Sequence, residues 1–124
     1  MAQKHELGKF GEELTCRYLT HYGFEILARN YRIRGGEIDI IGKLGDMIVF
    51  VEVKTRHETA ENKYGTALEA VDKYKREHII KTAKRWIYEN YRYSECNFRF
   101  DVSEIQVIGN EKPKIKYLKS AFLL

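Results

Sequence analysis

The sequence predicts a single α/β domain over residues 1–124, with elements in the order αβββαββ. Three observations carry this reading. Apolar residues recur at helical spacing from about Leu7 to Tyr22 and again from Ile79 to Tyr91. Between them, Phe24 to Val53 holds alternating or β-branched apolar runs broken by Gly and Asp. Two more such runs follow Phe98.

The first helix places Leu7, Phe10, Leu14, Tyr18 and Leu19 on one stripe, and Gly23 is suited to end it. Glu12 lies four residues before Cys16 and seven before Leu19, so it sits beside that stripe, whereas Glu13 aligns with Arg17 and Thr20 on the wetter side. Phe24 to Ile33 alternates as a first strand and leads through Gly35-Gly36 into a hairpin. Ile38 to Ile41 and Met47 to Val53 form its arms, and Lys43-Leu44-Gly45-Asp46 its link.

Strand alternation gives the hairpin two unlike faces. Ile38, Ile40, Met47, Val49, Val51 and Val53 share a wholly apolar face, while Glu37, Asp39, Ile41, Ile48, Phe50, Glu52 and Lys54 share the other. With Gly42 opposite Met47, Asp39 would face Phe50 and Glu37 would face Glu52. A two-residue slip keeps the four charges together, whereas a one-residue slip turns the partner strand over. Three carboxylates so close repel one another, and partial desolvation adds a cost of several kcal/mol, on the order expected for uncompensated buried charge. One lysine does not balance them. A divalent cation, which favours carboxylate oxygens, supplies the missing charge. The plainer reading is a solvated polar end of a half-exposed sheet with surface ion pairs. The apolar opposite face and the flanking helices argue for a covered site instead.

Past Thr55 the alternation stops, and Arg56 to Gly65 reads as a polar loop near the hairpin's charged end, with His57 most simply a surface residue. Thr66-x-x-Glu69 has the form of a capping box, with a restart near Asp72. Ile79, Ile80, Ala83, Trp86, Ile87 and Tyr91 then continue a helical stripe, with Lys81, Lys84, Arg85 and Tyr88 on the opposing face. Trp86 on the stripe is core rather than a base-stacking platform. Phe98 to Ile108 and about Lys114 to Leu118, joined by the turn-rich GNEKP, close the domain.

The chain has 124 residues, 44% hydrophobic and 32% charged, with one proline, which suits one core and excludes a disordered chain. Its longest apolar run, Met47 to Val51, is far too short to span a bilayer, so no membrane partner is expected. The opening MAQKHELGKF holds no secretory hydrophobic stretch, and Cys16 and Cys96 lie far apart without metal-site spacing. A cytoplasmic protein with two free thiols is expected. The net charge of +4 is concentrated in Lys73 to Arg92 and Lys112 to Lys119. Basic surface around an acidic metal site suits a phosphodiester substrate, and Arg56, Lys73, Lys81, Lys84 and Arg85 are the candidate nucleic-acid contacts.

An acidic residue on one strand, followed across a hairpin by Glu-x-Lys on the next, resembles the PD-(D/E)XK nuclease signature. Gly8-x-x-Gly11-Glu12, Ala28-Arg29-Asn30-Tyr31-Arg32, Gly36-Glu37-Ile38-Asp39, Phe50-Val51-Glu52-Val53-Lys54-Thr55-Arg56 and Arg99-Phe100-Asp101 resemble the bacterial YraN-like family of predicted endonucleases, from about Gly8 to Val107. The superfamily's usual proline is replaced here by Gly-Glu.

This resemblance implies a restriction-endonuclease-like fold with a central mixed sheet of about five strands flanked by helices. It also implies hydrolysis of DNA to a 5′-phosphate and a 3′-hydroxyl. Asp39 and Glu52, with the backbone carbonyl of Val53, would hold Mg²⁺ or Mn²⁺. Lys54, roughly 7 Å along the strand on the same side as Glu52, would orient or activate the attacking water or neutralise phosphate charge. Glu37 would complete a second metal position or hold metal-bound water. Glu12 matches a first-helix glutamate that joins the metal site in related archaeal Holliday-junction resolvases. That kinship extends the substrate class to branched or structured DNA, and two-site cutting of a junction would call for a homodimer. A binding module of the same fold acting with a partner protein is the alternative. A phosphohydrolase for small substrates is weakened by the absence of a Gly-rich phosphate loop.

Overall fold

The computed structural model describes residues 2–57 and 72–122. The elements are α1 (Ala2–His21), β1 (Glu25–Ile33), β2 (Gly36–Leu44), β3 (Met47–His57), α2 (Lys73–Glu89), a single 3₁₀ turn (Tyr91–Tyr93), β4 (Asn97–Val107) and β5 (Lys114–Phe122). The strands form one sheet in the order β1-β2-β3-β4-β5. Among the described strands, only β3 and β4 pair in parallel, across the connection that holds α2; the other neighbours are antiparallel. This is the mixed five-stranded α/β arrangement of the restriction-endonuclease-like fold. Among the described residues, no helix is long and apolar enough to cross a membrane.

The two helices cover opposite faces, and the alternation of β3 decides which side chains each receives. Val49 and Val51 join Ile40, Cys16 and Leu19 beneath α1. Ile48 and Phe50 join Ile41, Phe100, Val102, Ile79, Ala83 and Trp86 beneath α2. Trp86 is thus core: it meets Phe50 edge-on and stacks on Tyr93. Cys16 is buried and Cys96 half-buried, both as free thiols.

The end of α1 is a Schellman motif: Phe24 N donates to Leu19 O and Gly23 N to Thr20 O, both at 3.0 Å. Its buried side differs from the expected stripe. Phe10 is 41% exposed, and Gly11, Thr15, Cys16 and Leu19 make the contact instead. Gly11 decides this, since a Cβ there would overlap Thr55 Oγ1 and lie 3.3 Å from Val53 Cγ1. Leaving that space empty lets α1 approach β3 closely. Thr15 Oγ1 then bridges to Ser103 Oγ on β4 at 2.9 Å.

Gly36 plays the same part on the other face. A Cβ there would overlap Thr82 Oγ1 and stand 3.1 Å from His78 O, so its absence lets α2 settle against the start of β2. Gly36→Ala is expected to cost about 1–3 kcal/mol, the usual range for overpacking. A denaturant midpoint equal to wild type would contradict this close approach.

Several sequence expectations are corrected. Leu44 pairs with Met47 and Gly42 with Val49, so the turn is the two residues Gly45-Asp46, two positions from the expected register. Ile38 belongs with the α2 cluster rather than with Ile40. On the neighbouring strand, Arg29 and Tyr31 pair with Ile40 and Ile38, and Asn30 between them has a left-handed φ of 52°. Strand β3 continues through Arg56 and His57, which pair with Gln106 and Val107, because β4 supplies a partner that sequence alone does not show. Strand β5 likewise runs on to Phe122. Helix α2 starts at the Asp72 restart, where the Asp72 side chain accepts from Lys75 N at 2.8 Å. The Thr66-x-x-Glu69 capping box and most of the expected polar loop lie outside the described residues.

Asp101 ties β4 to β5. Its buried carboxylate accepts a bifurcated hydrogen bond from Arg99 Nε and another from Arg99 Nη2, with Tyr117 Oη at 2.7 Å and Ser120 N at 2.9 Å. Burial and the Asp101 charge push the Tyr117 hydroxyl far above its ordinary range. Asp101→Ala would leave Arg99 half-buried without its partner, and a loss of about 3–5 kcal/mol in unfolding free energy is expected. A chemical denaturation midpoint near wild type would contradict this role.

Candidate functional site

The site lies where β2 and β3 part. Their paired residues run from Leu44–Met47 to Ile40–Val51; below that, β2 continues with β1 as far as Gly36 while β3 continues with β4 as far as His57. The wedge carries Glu37 and Asp39 on one arm and Glu52 and Lys54 on the other. Asp39 spans it, its Oδ2 accepting from Val53 N at 2.8 Å.

Around the wedge are two clefts. One of about 480 Å³ is lined by Lys9, Glu12, Asn30, Arg32, Glu37 and Asp39. The other, of about 240 Å³, is lined by Glu37, Asp39, Glu52, Lys75, His78 and Ile79. Glu37 and Asp39 border both. The two glycines explain why the helices reach this point: Gly11 brings α1 and Glu12 down on one side, and Gly36 brings α2 with Lys75 and His78 down on the other.

The electrostatics follow from burial. Desolvation first and the Glu52 charge second push the Asp39 carboxyl up to about 7, while the Val53 hydrogen bond opposes them. The Glu52 side chain is only 10% exposed, and one of its oxygens, Oε1, faces two lysines, with Lys75 Nζ at 2.7 Å and Lys54 Nζ at 3.6 Å. Burial, and next the hydrogen bond with Lys75, push Lys54 below the ordinary lysine range. Burial also pulls on Lys75, but its bonds to Glu52 and Lys54 outweigh that and hold it above the ordinary range. The pair is therefore polarised: Lys75 keeps the proton and Lys54 gives it up more readily. Glu37 pairs with Arg32 at 3.1 Å.

The structure thus brings Glu12, Glu37, Asp39, Glu52, Val53 and Lys54 around one wedge. Arg56 lies one pleat beyond Lys54 on the same strand, half-buried. Lys73, Lys81, Lys84 and Arg85 are exposed on α2 and line neither cleft, and Arg85 pairs with Glu89 at 3.0 Å. Two residues at the site carry no motif in the sequence, Lys75 and His78. His78 Nδ1 lies 2.8 Å from the Tyr74 carbonyl, which can only accept, so this nitrogen carries a proton. The signal that could have found Lys75 is its place one turn before Ile79 at the head of a buried stripe, where a lysine needs a partner.

Among the described residues, no three acidic, histidine or cysteine side chains already stand close enough to hold a metal ion. The donor chemistry still suits a hard divalent cation. Two crowded carboxylates, one of them driven toward its protonated form, are the oxygen ligands that such an ion favours and would recharge.

The model of the "Uncharacterised protein family UPF0102" matches residues 11–105. The chain belongs to the UPF0102 family. A UPF0102 protein of Rhodococcus opacus (strain B4) is 43% identical over 122 residues, covering 98% of this chain and all of the relative. UPF0102 proteins of Alkaliphilus oremlandii (strain OhILAs) and Geobacter metallireducens are 44% and 42% identical over 118 residues, covering 97% and 93% of those relatives. The UPF0102 match takes in Gly11-Glu12, the wedge residues Glu37 to Lys54 and the Lys75–His78 turn of α2.

Proposed function

We propose that this chain is a metal-dependent endonuclease that hydrolyses phosphodiester bonds of DNA, including branched or structured forms. One observation carries the reading. Asp39 and Glu52 converge across a strand divergence in a mostly buried wedge, at an electrostatic cost, with a lysine of lowered proton affinity on the same strand face. A purely structural site gains nothing from such crowding, whereas a catalytic site is organised around it.

When bound, Mg²⁺ or Mn²⁺ would supply Lewis-acid stabilisation of charge on the phosphoryl oxygens and a more acidic water. Asp39 and Glu52 would hold it with the Val53 carbonyl, and Glu12 and Glu37 would fix its waters or a second ion. Lys54 would orient the attacking water and accept its proton, a role that its lowered proton affinity suits. Water oxygen bonds to phosphorus as its proton passes to Lys54, the bond from phosphorus to the 3′-oxygen breaks, and that oxygen takes a proton from solvent water to leave as a hydroxyl. Lys9, Arg32 and Arg56 flank the path that the anionic backbone would follow.

A second reading is a nucleic-acid-binding module that acts with a partner protein. The Lys75–Glu52 ion pair favours it, because it neutralises Glu52 without any metal. The two readings separate in one experiment. Wild type, Asp39→Ala and Lys54→Ala are compared on single-stranded, duplex and four-way-junction DNA with Mg²⁺, Mn²⁺ or EDTA. Metal-dependent cutting lost in both variants is the expected result. Binding without cutting under every condition would establish the module.

A further inference from the structure

Glu52 already has a cation. Lys75 Nζ lies 2.7 Å from Oε1, closer than Lys54 at 3.6 Å, and the Glu52 side chain is almost shielded from water. This ion pair is built rather than incidental. The Lys75 amide is held by the Asp72 cap at 2.8 Å, and the helix that carries it is seated against Gly36 at the edge of the wedge. A half-buried lysine fixed at its backbone keeps its ammonium near one place, unlike a surface lysine that pairs only part of the time.

The position has a consequence for metal binding. An ammonium in contact with a carboxylate oxygen and a divalent ion bound to that carboxylate would repel each other at close range in a poorly solvated cleft. One must move.

We propose that Lys75 is a built-in counter-cation for Glu52, which a divalent metal must displace to occupy the wedge and which then turns to the phosphate of the substrate. This rests on the metal-dependent reading above and adds a gate to it. The metal-free site is held neutral at Glu52 and closed to weak metal binding. A phosphate entering the 240 Å³ cleft, which Lys75 lines with Asp39 and Glu52, offers the ammonium another anion. Metal and nucleic acid therefore favour each other's binding, reciprocally.

The test is titration of metal-free protein with Mn²⁺ in the absence of DNA, followed by calorimetry and by the loss of the free Mn²⁺ paramagnetic resonance signal. Lys75→Met is the first variant and Lys75→Gln, which keeps a polar chain in the cleft, the second; thermal unfolding checks that each is folded. Lys75→Met or Lys75→Gln is expected to bind Mn²⁺ at least ten-fold more tightly than wild type. Adding Asp39→Ala to either variant should abolish that gain. A structural defect would weaken binding rather than strengthen it. Equal or weaker Mn²⁺ affinity in the folded variants overturns the gate, and it leaves the metal site standing if Asp39→Ala abolishes wild-type binding. Absence of Mn²⁺ binding in wild type and both variants overturns the gate and the metal-dependent reading together.

Discussion

Asp39→Asn is expected to raise the unfolding temperature of the metal-free protein at pH 8 while removing cleavage. Burial, and then Glu52, raise the Asp39 carboxyl from an ordinary 3.8 to about 7. A carboxyl with a higher proton affinity in the folded state binds more protons there than in the unfolded chain between about pH 4 and 7. Stability therefore falls as pH rises through that window, and the full penalty is present above about pH 7. At about 1.4 kcal/mol per unit, the penalty is on the order of 4 kcal/mol. Asparagine removes the charge but keeps an oxygen to accept from Val53 N. The variant should gain at least about 2 kcal/mol at pH 8, a rise of several degrees, and the advantage should shrink toward pH 4. Adding Mg²⁺ should stabilise wild type and leave the variant unchanged. Thermal unfolding followed by circular dichroism in EDTA reads the effect directly; an unfolding temperature at or below wild type at pH 8 would sink the argument from crowded charge.

Lys54→Ala is expected to cut the rate of DNA cleavage by about 10²–10⁴, the range for losing a positioned proton acceptor. The metal-free fold should survive, because there Glu52 keeps Lys75 at 2.7 Å as its counter-cation. Folding and DNA affinity should stay close to wild type, so the loss falls on the chemical step rather than on binding. Lys54→Arg should not rescue it, since a guanidinium cannot give up its proton near neutral pH. Single-turnover cleavage alongside a binding titration makes the separation, and a rate within ten-fold of wild type would remove Lys54 from the mechanism.

The hairpin, the two described helices and the five described strands were legible because each carries its own periodicity. So was the gathering of Glu37, Asp39, Glu52 and Lys54, although β2 and β3 part below Ile40–Val51 and the four meet across the wedge rather than as paired neighbours. The remainder depended on contacts between elements. The register followed the two-residue Gly45-Asp46 turn rather than the four-residue link, Ile38 packs with the α2 cluster away from Ile40, and β3 kept its length at Arg56 and His57 because β4 runs beside it. Phe10 lay on the apolar stripe by spacing but outside it in space, because the empty face of Gly11 sets the rotation of α1 on β3. Lys75 and His78 enter the site because α2 docks at Gly36, and only the position of Lys75 at the head of the buried stripe hinted at it. Arg99-Phe100-Asp101 carries part of the family resemblance through structure, for Asp101 spends its carboxylate on Arg99, Tyr117 and Ser120.

The most direct test of the nuclease reading is end analysis of labelled four-way-junction and duplex DNA incubated with wild type and with folded Asp39→Asn, in Mg²⁺ and in EDTA. Wild type is expected to give products with a 5′-phosphate and a 3′-hydroxyl in Mg²⁺, with no products in EDTA or from the variant. Equal cutting by Asp39→Asn, or no cutting of any DNA by wild type with Mg²⁺ or Mn²⁺ present, would contradict it.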